Sequence, residues 1–291
     1  MNPALVRRGE PVYPPLLVQL HDPPPRLYVR GGSPELLLRP AAAVVGARSC
    51  SGYGAQVARM LGRELAGAGL VVVSGLARGI DAEAHRGALE AGGVTVAVLG
   101  CGIDRDYPRS HADLARRIAE TGAVVSEYEP GVEPAPWRFP ARNRIIAGLS
   151  LATVVVEARA RSGALITADF ALELGREVFA VPGEITSGLS AGTNDLLRQG
   201  AAPLLSPDDV LAACGIERAA VEPQLGNVSA IGAELLHLLT GGALGTDELV
   251  RASGRASGEV AAALVELELG GHAVSADGVW RAARQEVAGM R

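Results

Sequence analysis

The 291-residue sequence is 48% hydrophobic, with 37 glycines, a formal net charge of −5, and no lysine among its 27 basic residues. That size suits one large domain with a smaller companion, and a negative chain must meet any polyanion through a local patch rather than its overall field. Without lysine there is neither a Walker A phosphate loop nor a Schiff-base lysine, which excludes two large enzyme classes.

Residues 1–40 are proline-rich (Pro11, Pro14, Pro15, Pro23, Pro24, Pro25) and read as an extended arm packing on the core, with short edge strands over 16–20 and 27–29. From 41 to 216 a regular alternation follows. Apolar runs of strand length at 42–45, 70–73, 94–99, 123–126, 152–156 and 177–181 alternate with helical patterns at 54–66, 80–91, 111–120, 144–148 and 165–174. This order predicts an α/β fold: an extended Rossmann-like parallel sheet of right-handed βαβ units, with helices on both faces. A last piece, at 194–199, 203–205 and 207–213, closes the domain near Gly215. Residues 217–228 read as a linker. Helical patterns at 231–239, 246–252 and 257–269 then precede a hairpin, 272–275 and 279–281, turning at Asp277-Gly278. Three helices and a hairpin predict a small C-terminal winged-helix domain over 229–291, with Thr246 capping its second helix. Its third helix carries Glu259, Glu266 and Glu268, which suits an interaction or regulatory role better than entry into a DNA groove.

Cys50, Cys101 and Cys214 are scattered without metal-ligand spacing, so neither structural zinc nor a disulfide scaffold is expected. No signal peptide is visible, and no apolar run nears the roughly 18 residues of a membrane span. A cytoplasmic protein without metal, cofactor or membrane partner is the expectation.

In open parallel sheets, ligands bind beyond the carboxyl ends of the strands, where helix N-termini converge. The first such loop, Gly46 to Gly54, carries Arg48 among glycines and predicts an anion site at a helix N-terminus. Its glycine spacing is not that of a dinucleotide fingerprint, and the second strand ends in Ser74-Gly75 rather than in a ribose-binding acid. Arg78 faces the crevice from the second loop, and Asp81 is placed to cap the next helix. Asp81 and His85, four residues apart, admit a catalytic pair, although a structural hydrogen bond between them is preferred. Asp104 and Asp106 lie in the third loop with nothing to orient them for acid–base work. The fourth loop is the most informative: Trp137 and Phe139 are interleaved with Arg138, Arg142 and Arg144, and Asn143 lies among them. Aromatic faces for bases beside guanidiniums for phosphates are what a single strand requires. Arg159, Arg161, Ser162 and Gly163 open a fifth loop, and a sixth runs from Gly183 to Thr193 or Asn194 as helix cap. Glu157 and Glu184 are unwelcome near phosphates unless Arg159 or Arg161 pairs with them.

Several of these motifs together resemble the DNA-processing protein A family (DprA, also called Smf). They are Val44-Val45-Gly46-Ala47-Arg48, the run from Ser74 to Asp81 with His85, the run from Phe139 to Ser150, Ser162-Gly163-Ala164-Leu165-Ile166-Thr167-Ala168, Val181-Pro182-Gly183 and Gly192-Thr193-Asn194. The resemblance spans about residues 9–214 and is most specific between Phe139 and Ser150. It implies sequence-independent binding of single-stranded DNA without catalysis, a homodimer, interaction with the RecA recombinase, and loading of RecA on DNA taken up in natural transformation. The DNA contacts it implies are Arg48, Phe139, Arg142, Asn143, Ser162 and Gly163, and the reading of the loops adds Ser74, Gly75, Arg78 and Arg144 to the expected site. Many relatives use lysines around this pocket; here arginine must serve.

Two other classes compete. A nucleoside-monophosphate phosphoribohydrolase on a related Rossmann sheet would place its acids at Glu184 or Asp195. A pure interaction protein would self-associate through an apolar face formed by Leu196, Leu197 and Leu204.

Overall fold

The proline-rich arm enters the sheet instead of lying over it. In the computed structural model, which describes residues 3–216, 228–240, 242–276 and 278–282, strand β1 (Ala4–Arg7) pairs antiparallel with β2 (Arg26–Gly31). Strand β2 in turn pairs antiparallel with β6 (Ala123–Ser126). Between β1 and β2, the expected edge strand over 16–20 is a short helix, α1 (Pro15–Val18). Pro15 stands in its first turn, where a missing N–H costs nothing, and Leu17 anchors it in the core.

The remaining strands are β3 (Ala41–Val45), β4 (Val71–Ser74), β5 (Thr95–Val98), β7 (Ala152–Val155), β8 (Glu177–Ala180) and β9 (Ala202–Pro203). The order across the sheet is β1-β2-β6-β5-β4-β3-β7-β8-β9, with every pair from β6 to β9 parallel. The expected parallel sheet is therefore the body of a mixed one, because the antiparallel arm closes one edge. The helices are α2 (Gly52–Gly67), α3 (Ile80–Glu90), α4 (Ala112–Thr121), α5 (Arg138–Leu149), α6 (Gly163–Glu173), α7 (Ala191–Arg198) and α8 (Pro207–Ala213).

Alternate residues of the central strands feed opposite faces, as the two-residue period of a strand demands. Ala41, Ala43 and Val45 join a core with Val71, Val73, Ile145, Ile146, Ala168 and the arm's Tyr13, Leu17 and Leu20. Ala42 and Val44 join the opposite one with Val72, Leu61, Leu65, Ile80 and Val210. On that second face α2 and α3 approach closely: a methyl group at Gly62 would overlap the Ala84 carbonyl, and one at Gly87 the Arg59 carbonyl. Helix α5 starts at Arg138, not Arg144. Pro140, which reads as a breaker in the sequence, falls in the first turn, where helical N–H groups have no internal partner anyway.

The chain divides into two compact units, Met1–Arg218 and Ala219–Arg291. Apart from Val228, the expected linker lies outside the described residues, as does Asp277 of the hairpin turn. The second unit holds α9 (Ala230–Thr240), α10 (Thr246–Ser253) and α11 (Ser257–Leu269), with a three-stranded sheet ordered β10 (Leu244–Gly245), β12 (Val279–Ala282), β11 (Ala273–Ala276). This is the expected winged helix. Gly245, not Thr246, is the N-cap of α10, and the Thr246 hydroxyl instead accepts from Trp280 Nε1 at 3.1 Å. Glu266 of α11 accepts from the Ser229 N–H and hydroxyl, both at 2.7 Å. No helix among the described residues is long and apolar enough to cross a membrane.

Candidate nucleic-acid interface

The chain leaves β3 to build β4, β5 and β6 on one side, then returns to place β7, β8 and β9 on the other. The loops after β3 and β7 therefore diverge at a topological switch point, where open α/β sheets form a crevice. Backbone bonds stitch its rim together: Ala47 N–H donates to the Glu157 carbonyl at 2.7 Å, and Ile80 N–H to the Ala47 carbonyl at 3.2 Å. Gly79 sits at φ +76°, and any side chain there would overlap the Ala47 carbonyl. A cleft of about 350 Å³ opens at this point. Arg48, Phe139, Arg142, Asn143, Arg159, Arg161, Ser162 and Gly163 line it, and Arg78, Tyr107 and Gly75 line an adjoining recess of about 140 Å³ with Arg48, Phe139 and Arg142.

Arg142 is the buried floor of both. Its guanidinium donates to the carbonyls of Gly75 and Val98 and to Asn143 Oδ1, and its Nη2 lies 3.8 Å from Asp81 Oδ2. Gly75 is required there because a Cβ would overlap the guanidinium. Asn143 Nδ2 donates to the Gly163 carbonyl at 2.9 Å, tying α5 to the start of α6. Burial pushes the Asp81 carboxyl up, against the opposing pull of Arg142 and the Ala77 N–H. Burial pushes the Arg142 guanidinium down, and the Asp81 carboxyl opposes that shift.

The rim carries the uncommitted charge. Arg48, Arg78, Arg159 and Arg161 are exposed and make no ion pair or side-chain hydrogen bond among the described residues. Among the exposed arginines elsewhere, Arg59 is paired with Glu83 and Glu90 and Arg116 with Asp113 and Glu120, whereas Arg8, Arg109, Arg117 and Arg281 are unpaired among the described residues but line neither the cleft nor the recess. The Arg48 guanidinium lies 5.4 Å from the centre of the Phe139 ring, which stacks on Tyr107 at 5.1 Å. Phe139 is half-buried and Tyr107 42% exposed, so this aromatic pair borders the recess with a face to solvent. Nothing in the sequence singles out Tyr107. The signal of its loop is two aspartates, and only packing brings the ring to Phe139.

Several expectations are corrected. Arg144 points away from the cleft: Glu127 holds both its terminal nitrogens, at 2.8 and 2.7 Å, and Asp22 its Nε through the backbone carbonyl. The Ser74 hydroxyl is buried and donates to the Val44 carbonyl at 2.7 Å. The α2 N-terminus is already occupied. Glu157 accepts from the Ser51 N–H at 2.9 Å and from its hydroxyl, and Ser51 accepts from Gly54 N–H. Glu157 thus satisfies a helix end and pairs with neither Arg159 nor Arg161, as a carboxylate at a positive helix terminus should. Ser162 caps α6, and Ser190, not Thr193 or Asn194, precedes α7. Asn194 instead clasps Gly183 through its backbone N–H and carbonyl, at 3.2 and 3.1 Å.

His85 makes no bond to Asp81. Its Nδ1 meets the Thr95 hydroxyl at 2.7 Å, and that hydroxyl donates to the Val72 carbonyl at 2.7 Å. One hydroxyl proton cannot serve both, so Nδ1 carries a proton and donates it to Thr95. Burial, aided by the charge of Arg142, pulls its pKa down to about 3. Asp195 binds Arg198 and Gln199 of its own helix end, and neither it nor Glu184 lines the cleft. Leu196 and Leu204, expected on an association face, are buried in the core of their own chain. Leu197 is half-buried and packs against the same core as Leu196, and Leu205, 74% exposed, is the leucine of this region that faces outward.

Residues 4–215 match the profile of the DNA recombination-mediator protein A family, and residues 217–278 that of the DprA winged helix domain. A putative DNA processing protein DprA of Mycobacterium tuberculosis is 46% identical over 251 residues, 84% of this chain and 64% of that protein. The chain thus spans somewhat under two thirds of that relative's length. Protein Smf of Escherichia coli is 40% identical over 280 residues, 93% of this chain and 75% of that protein. Among solved structures, DprA of Streptococcus pneumoniae superposes with a TM-score of 0.69 at 45% identity, covering 72% of this chain and 73% of that one. The DNA processing protein A of Helicobacter pylori, described for its single-stranded DNA binding mode, gives 0.65 at 31% identity, covering 73% and 97%. With its fold, its cleft motifs and its relatives in agreement, the chain belongs to the DNA recombination-mediator protein A family.

Proposed function

We propose that this chain binds single-stranded DNA in the switch-point cleft, without base preference and without chemistry on the strand. One observation carries the proposal: four exposed arginines, none with a carboxylate partner among the described residues, converge on one cleft and its adjoining recess. Unpaired guanidiniums beside an aromatic pair suit a run of phosphates and bases better than a single anion. The Helicobacter relative's single-stranded ligand supports the choice of strand. Family membership extends the proposal to protection of incoming DNA and loading of RecA in recombination or natural transformation, by a homodimer. In such a dimer Leu205 is the exposed apolar contact just beyond β9, and Leu205→Asp should yield monomers in sedimentation velocity.

The test is fluorescence anisotropy with labelled oligo-dT and a matched duplex over a salt series. Preference for the single strand, with log Kd rising linearly in log salt, is expected. Equal affinity for duplex, or release of free base from nucleoside monophosphates, would overturn it.

A further inference from the structure

We infer that a strand running out of the cleft stacks a base on Trp137, a second aromatic subsite beyond the arginine rim. This rests on the proposed binding of single-stranded DNA and names where the strand goes next. Trp137 is 62% exposed, which leaves more of its ring to water than the Phe139–Tyr107 pair leaves of its rings. An exposed indole offers the largest flat face in the chain for a base to stack on.

The indole is also held in place. The Arg138 guanidinium lies 4.8 Å from its ring centre and 5.0 Å from that of Tyr128, so it bridges the two rings. Arg138 further donates to the Glu133 carbonyl and has no carboxylate partner among the described residues. One cation thus fixes the ring and keeps a positive charge beside it for a neighbouring phosphate. The preceding segment is stiff, with Pro134 and Pro136 flanking Ala135, whose carbonyl accepts from Arg138 N–H at 3.0 Å. A pre-set ring gives up little freedom when a base stacks on it.

Placement connects the platform to the cleft. Trp137 has helical backbone angles, φ −74° and ψ −21°, immediately before α5. Residues three apart share a helix face, so Trp137 stands beside Pro140, which lines the cleft. A strand with phosphates on Arg48 and Arg161 needs only to pass Pro140 to bring its next base over the indole.

Two tryptophans are present, Trp137 and Trp280. The experiment compares intrinsic emission of the wild type and of Trp137→Phe during titration with oligo-dT, while anisotropy of a labelled strand reports binding separately. The expected result is quenching that saturates with the anisotropy in the wild type and is absent in Trp137→Phe, with an abasic strand of equal length bound but not quenching. Trp137→Leu should weaken oligo-dT about tenfold while Trp137→Phe retains most of the affinity, as stacking, not apolarity, requires. Binding without quenching, or equal affinity of the leucine variant, would overturn the platform and leave the cleft as the DNA site. No anisotropy change with any strand would overturn the cleft assignment as well.

Discussion

Arg142 and Arg144 stand two residues apart in the same helix, and the two sides of α5 put them to opposite uses. On the cleft side, Arg142 is sealed beneath the rim, held by two carbonyls, Asn143 and Asp81, and offers its field to whatever enters. On the far side, Arg144 is fully claimed by Glu127 and Asp22 and ties α5 to β6 and the arm. Identical side chains thus serve as site floor and as structural clamp. What separates them is how the guanidinium is met: Arg142 by backbone carbonyls with one carboxylate at 3.8 Å, Arg144 by a carboxylate that takes both its terminal nitrogens at 2.8 and 2.7 Å. The four rim arginines, by contrast, have no carboxylate among the described residues.

The comparison breaks most visibly at Arg142. Arg142→Met leaves Asp81 as a buried, unpaired carboxylate, and unfolding in urea should show a decrease of about 3–5 kcal/mol together with loss of oligo-dT binding. Adding Asp81→Asn should restore much of the stability but not the binding. Arg144→Ala should cost about 2 kcal/mol in the same measurement, because the charge-assisted bonds to Glu127 are gone, and leave oligo-dT affinity unchanged. Weakened DNA binding in that variant would return Arg144 to the site.

A smaller effect sharpens the role of the layer below. His85 is held neutral with its folded pKa depressed to about 3, against an unfolded value near 6.5. The unfolded chain therefore takes up the proton first as pH falls, so stability is present above pH 6.5 and drains away between 6.5 and about 3. From pH 7.5 to 5.5 the contribution of this group is about −1.4 kcal/mol, and in His85→Gln the difference in stability between the two pH values should shrink by that amount. The least disturbance of the fold is expected at the rim. Arg48→Ala and Arg161→Ala should shift stability by no more than about 0.5 kcal/mol. Each should nonetheless weaken oligo-dT and lower the salt slope by about 0.7 for every phosphate that the missing guanidinium would have neutralised.

Much of the fold is legible in the chain. β6 and the helix α11 fall where their patterns place them, because a two- or 3.6-residue period is a local property of the sequence. The departures at α1 and α5 have one cause, that proline reads as a breaker wherever its position in a turn is unknown. Pro15 and Pro140 each stand in a helix's first turn, so α1 has the signature of a strand and the start of α5 that of a loop. In the site, Arg48, Arg142, Asn143 and Gly163 line the cleft as their motifs suggest, while Tyr107 borders the adjoining recess with no motif to announce it.

By itself the sequence determined the order of strands and helices from β3 onward, the loops in which arginine and aromatic residues gather, and the winged helix that follows in the chain, since periodicity and turn chemistry act over a few residues. Only the tertiary structure decided which of those charges are free. Glu157 reaches Ser51 across 106 residues and Arg142 reaches Gly75 across 67. A carboxylate or a carbonyl at that remove leaves no trace in the local pattern, yet its distance in space determines whether a guanidinium is already satisfied or still open to a phosphate.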